Sequence, residues 1–174
     1  MIPLVQQVMR QTKARVFNND LHVANKLVSL FETATQIIRK GKSSKPTEFG
    51  RLIKIQEAEN QIITHYEICA ERPADSTLLV KSVEVHQQQF GHAPHTLATD
   101  AAFYSDANEK AVHSMGVKRV AIPNRSTKSA ERRLLQRRRW FRQAQAWRTG
   151  CEGRISVLKR RHGLNRCRYR GDDG

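Results

Sequence analysis

Residues Trp147 to Arg168 read WRTGCEGRISVLKRRHGLNRCR, a run that is basic or apolar apart from a single acidic residue, Glu152. With a helix beginning at Gly150, Glu152, Ser156 and Lys159 stand at i, i+4 and i+7 and share one face. Arg148 joins that face if the helix starts one turn earlier. A carboxylate set among cations suits a divalent metal held beside a polyanion: the carboxylate binds the ion, and the cations offset phosphate charge. The plainer alternative is a solvated basic helix with one salt bridge, and composition alone does not separate the two.

The last third of the chain carries the same bias. From Gly116 to Gly174 there are 18 Lys and Arg against 4 Asp and Glu, a net of +14 out of +15 for the whole chain, whereas residues 1–115 carry 13 against 12. A protein that grips a phosphate backbone has a reason for this segregation. A basic membrane-surface segment needs a clean apolar face opposite the charges, and the Arg-rich run supplies only a broken one. Nucleic acid is the better partner. Single-stranded RNA fits less well, because no aromatic-rich recognition module is visible.

At 174 residues, 39% of them hydrophobic, the chain can bury a core and is not of disordered composition. No apolar run approaches the ~18 residues needed to span a membrane, and Met1 to Val5 is too short for a signal peptide. Cys69, Cys151 and Cys167 are odd in number, widely spaced and without a CxxC pair, which suits reduced cytosolic thiols. His92 and His95, on either side of Pro94, lack a second ligand pair for zinc.

In chain order, Leu4, Val5, Val8 and Met9 point to a short amphipathic helix, followed by apolar runs at Leu27–Phe31 and Gln36–Ile38. Arg39 to Pro46 is a cationic loop in which Lys40 and Lys42 could meet phosphate. Gly50 to Cys69 reads as a β-hairpin with a polar turn at Glu57–Asn60. A helix then opens at Asp75 or Ser76, with Leu78, Leu79, Val83 and Phe90 on its buried side, and ends at Gly91. Thr96–Thr99 is a short strand running into Asp100, and Asp106 to Glu109 fits a capping box, with Asp106 as the cap in place of Ser or Thr, opening another helix that Gly116 closes. Val117–Pro123 is a strand, Ser126 to about Trp147 a long helix, and Gly150 to Arg161 a last helix stopped by Gly163. Strands alternating with helices after an antiparallel pair define an α/β class with helices packed on a mixed sheet.

In such sheets, functional groups gather at the carboxyl ends of strands. Asp100 sits at one, although an Asp there is also a common helix cap. Asp100 with Glu152 is more telling, since two-metal phosphoryl transfer needs carboxylates converging from separate elements on cations ~3.5–4 Å apart.

At these residues the chain resembles the carboxyl-terminal part of a bacterial insertion-sequence transposase of the DDE type. The resemblance rests on Lys26–Glu32, Arg39–Lys42, Thr47–Gly50, Thr99–Ser105 and Trp147–Ser156, which together span most of the chain. Within the family it resembles the subgroup with a Lys-rich loop before a Glu-Phe-Gly strand. Arg148, Glu152 and Lys159 have the spacing of a signature that many such enzymes share around the last acid, with Gln145 where that signature has tyrosine.

The resemblance implies an RNase H-like core over residues 47–174, following a basic, partly irregular segment over residues 1–46. It implies Asp100 and Glu152 as catalytic, metal-holding carboxylates for Mg²⁺ or Mn²⁺ in a two-metal centre. Arg148 and Lys159 would contact the phosphates flanking the cleaved bond, with Arg154, Arg160, Arg161, Lys40 and Lys42 as further DNA contacts. The partner would be double-stranded DNA, handled in the cytoplasm near the nucleoid by a homo-oligomer. The family's first acid lies on a strand before the hairpin and has no counterpart here: Asp20 lies in a polar loop and Asp75 at a helix start. The expectation is therefore a core lacking its first strand and first acid, truncated and poorly active, or else a DNA-binding remnant without catalysis.

Overall fold

The computed structural model describes residues 2–39, 47–69 and 73–164, so Lys40 and Lys42 lie outside the described residues. Two compact units result, the first holding the described residues to Lys54 with 66–69, the second 55–65 and 73–164.

In the first unit, helix α1 (Ile2–Asn18) extends the short amphipathic helix expected near Leu4 but buries none of its residues. Gln11 ties it down, its Nε2 donating to the Leu27 carbonyl at 2.8 Å and its Oε1 accepting from the Leu27 N–H at 3.0 Å. Strands β1 (Gln36–Arg39) and β2 (Thr47–Gly50) pair antiparallel, with Ile37 opposite Phe49.

Strands β3 (Leu52–Ala58) and β4 (Ile62–Cys69) form the hairpin where the β-branched residues place it. Its stem groups with the first unit and its tip with the second. Asn60 (φ 60°, ψ 23°) and Gln61 (φ 65°) make the turn in the left-handed region, which Asn enters at low cost. In the stem, Lys54 is buried and donates to Glu67 at 2.6 Å, which gives its charge a partner.

The second unit is built on two short parallel strands, β5 (Thr96–Ala98) and β6 (Arg119–Ala121), with Leu97 opposite Val120 and Ala98 opposite Ala121. Alternation along the strands sorts side chains to two faces. Leu97, Val120 and Ile122 pack with Leu79 and Val83 of α2 (Leu79–Phe90) and with Val112 of α3 (Asp106–Ser114). Ala98 and Ala121 face the other way, onto Phe141 and Ala144. Helices therefore cover both faces, an α/β layering. The strands of the described residues form three separate two-stranded pairs rather than the one mixed sheet expected. Three-residue strands offer few ladder bonds, so the helices supply most of the cohesion.

Several local expectations need correction. Neither Asp75 nor Ser76 caps α2; a 3₁₀ turn, Asp75–Leu78, leads in from Ala74 without a side-chain cap. Leu78, Leu79 and Val83 are buried, but Phe90 is 45% exposed because the last turn of α2 outruns the core; Gly91 (φ 74°) then closes the helix. Ser105, not Asp106, caps α3, its Oγ accepting from the Asn108 N–H at 3.0 Å. The boundary between the last two helices also moves. α4 (Ala130–Arg137) ends at Arg138, whose ψ of 143° is extended, and α5 then runs unbroken from Arg139 to Arg161 through Trp147 and Gly150. Leu135 and Phe141 explain the break. On one straight helix six residues would set them about 120° apart, yet both pack in the cluster around Ala121.

Candidate functional site

The chain leaves β5 and turns at Asp100, whose Oδ1 accepts from the Ala101 N–H at 2.5 Å and caps a short turn, Ala101–Phe103. The capping role is real, but it occupies only one carboxylate oxygen. Oδ2 accepts from Arg148 Nη2 at 2.9 Å, and Arg148 Nη1 donates to Glu152 Oε1 at 3.4 Å. One guanidinium thus joins two carboxylates, one from a strand end and one from a helix. Because α5 is continuous, Arg148, Glu152, Ser156 and Lys159 share a face, with Arg148 and Lys159 within about 20° of each other. The cluster is open: side-chain exposure is 27% for Arg148, 55% for Asp100 and 69% for Glu152. Such exposed pairs add at most about 1 kcal/mol to stability, so the arrangement does little for the fold and leaves the acids reachable.

Gln145 sets the position of Arg148. Its Nε2 donates to the carbonyls of Thr99, at 3.2 Å, and of Ala121, fixing α5 to the ends of both parallel strands. Arg148 follows three residues later. Sequence reading missed this role; the signal present was that Gln145 stands at the signature's tyrosine position. Gln145→Leu is expected to lower stability by about 1–3 kcal/mol, mainly through the Thr99 carbonyl, since the Ala121 carbonyl keeps the Thr99 N–H, measured by chemical denaturation. A loss below about 0.5 kcal/mol would mean that water replaces the amide there.

The other cations divide. Arg154 turns away from this face to ion-pair with Glu57 of the hairpin tip, whose side chain is 7% exposed, and its Nη2 lies 3.2 Å from Cys151 Sγ. Burial raises the Cys151 thiol against the opposing pull of Arg154, so it is not an activated nucleophile. Lys159, Arg160 and Arg161 are exposed in the last turn of α5, with Arg160 Nε donating to the Ser156 carbonyl at 3.4 Å.

The resemblance implies a divalent ion, and the donor set can be tested against it. Asp100 and Glu152 are hard oxygen donors of the kind a hydrated divalent ion takes, and in the structure each gives an oxygen to Arg148 instead. Among the described residues, no group of three or more His, Cys, Asp or Glu converges. The larger carboxylate set of a two-ion centre is not assembled there.

Residues 108–174 match the family model described as Transposase DDE domain. The match covers α5 with Arg148 and Glu152, while Asp100 lies just ahead of it. The match spans less than half of the chain and agrees with the resemblance to DDE transposases in the stretch that carries Arg148 and Glu152. No curated protein and no solved structure matches the chain. No helix among the described residues is long and apolar enough to cross a membrane.

Proposed function

We propose that this chain acts on double-stranded DNA in transposition, cleaving and transferring strands at transposon ends, with Asp100 and Glu152 as the carboxylates at the scissile phosphate. The observation that carries this reading is the Arg148 guanidinium, which gathers acids from two elements beside the ends of the parallel strands. The order hairpin, helix, strand, helix, strand, helix suits an RNase H-like core over residues 47–174. A divalent ion, when bound, would supply charge neutralisation at the phosphate, and Asp100 and Glu152 would hold it. Arg148 has the planar fork to meet a phosphate oxygen there. Lys159, about 16 Å further along the helix axis, reaches a different phosphate. Self-association, to hold two transposon ends, belongs to the same reading.

Incubating the protein with terminal-repeat DNA and Mn²⁺ tests the assignment. Weak nicking is expected, falling at least about 10²-fold in Asp100→Asn and in Glu152→Gln, since losing a charge-stabilising group is that costly. Asp75→Ala is expected to nick like the parent chain. Nicking that survives both acid variants would remove Asp100 and Glu152 from the chemistry, and loss in Asp75→Ala would move the site.

A second reading, DNA binding without catalysis, is favoured by Arg148 itself, which occupies both acids while no third acid joins them among the described residues. On that reading, binding is indifferent to Mg²⁺ and to Glu152→Gln.

A further inference from the structure

A second cationic feature sits beyond β6, the strand paired with the one that leads to Asp100. The segment after Ile122 enters α4 around an open cleft of about 360 Å³ lined by Asn124, Arg125, Thr127, Arg133, Gln136 and Arg137. Its floor is fixed. Gln136 Oε1 accepts from the Asn124 N–H at 2.8 Å, and Gln136 Nε2 donates to the Asn124 carbonyl at 3.2 Å. Arg133 Nε donates to the Thr127 carbonyl at 3.3 Å, which leaves its terminal nitrogens for the cleft. Arg133 and Arg137 stand one turn apart on α4, and Arg125 comes from the loop; all three are exposed, and no carboxylate lines the cleft. Three like charges around one hollow repel each other unless an anion joins them.

We propose that this cleft takes the phosphodiester backbone of the bound DNA, apart from the acid pair and in addition to it. The inference rests on DNA being the partner and deepens that reading. β5 and β6 are parallel, so Asp100 and Asn124 follow strand ends on the same edge. Gln145 marks that edge by bonding the carbonyls of Thr99 and Ala121. A duplex laid along the edge meets the acids at one place and the arginines at another. The lining offers amides and guanidiniums but no aromatic or aliphatic wall for a base. Contacts of this kind fix register and orientation without reading sequence. Guanidiniums suit the task because their planar donors take phosphate oxygens in pairs.

The test is the salt dependence of duplex DNA affinity for the full chain and for the triple variant Arg125→Gln, Arg133→Gln, Arg137→Gln. Three lost phosphate contacts should make the slope of log affinity against log salt shallower by about 2.7, and Arg137→Gln alone by about 0.9. The single variant, at an exposed side chain, keeps the test informative if the triple variant fails to fold. A parent chain that does not bind DNA would overturn the DNA reading itself. Steep parental binding with an unchanged slope in the variants would overturn the cleft alone. Inorganic triphosphate bound by the parent chain, together with that unchanged slope, would mark an anion pocket unrelated to DNA.

Discussion

Replacing Arg132 with alanine is expected to destabilise the protein by about 3–5 kcal/mol, a large share of the ~5–15 kcal/mol that holds a domain folded. Arg132 is a buried cation: Nη1 donates to both oxygens of Glu109, at 2.6 and 2.7 Å, and Nη2 donates to the Ile122 carbonyl at 2.6 Å. The guanidinium also lies 4.8 Å from the centre of the Tyr104 ring, whose phenol donates to Asp106. One side chain of α4 therefore joins α3 to the end of β6. The cost of truncation comes mostly from what stays behind, a carboxylate at 16% side-chain exposure and a carbonyl, both without their partner. Chemical denaturation of two variants separates that cost from the worth of the pair. Arg132→Met with Glu109→Met should lose less stability than Arg132→Ala alone, because no isolated charge remains. A single variant that loses under about 1 kcal/mol would show that water reaches Glu109 and that the pair is effectively a surface one.

What could be read from sequence was what local patterning controls. The hairpin followed from β-branched runs around a polar turn, and the end of α2 followed from Gly91, which takes φ 74° where a Cβ would be strained. The shared face of Arg148, Glu152 and Lys159 followed from helical spacing alone. The features that escaped depend on partners far away in the chain. Nothing near Arg138 announces a break, since neither Pro nor Gly is there; the helix yields because Leu135 and Phe141 must reach one cluster. Gln145 looks like an ordinary helix residue until the carbonyls of Thr99 and Ala121 lie under it. Arg154 reads as one more cation for DNA until Glu57 arrives from the hairpin tip. Long-range pairing, rather than residue type, decides which arginines face outward.

Sorting the arginines in that way leads to the other large expected effect: duplex DNA affinity falling about 10³- to 10⁴-fold between about 50 and 200 mM salt. Arg132 and Arg154 are excluded, because Glu109 and Glu57 hold their charges. The cations assigned to phosphate are Arg148, Lys159, Arg160 and Arg161 on α5 with Arg125, Arg133 and Arg137 around the cleft, while the exposed Arg119, Arg138, Arg139 and Arg142 stand outside both groups. One contact from each assigned cation gives a log–log slope of about −6. The division predicts a contrast at constant net charge change. Arg154→Gln should leave the slope where it is and lower stability, since it strands the nearly buried Glu57 carboxylate. Arg160→Gln should make the slope shallower by about 0.9 and leave stability almost unchanged. If Arg154→Gln moves the slope as much as Arg160→Gln does, binding responds to overall charge rather than to placed contacts. The exposed cations in the last turn of α5 would then have no special claim on the DNA.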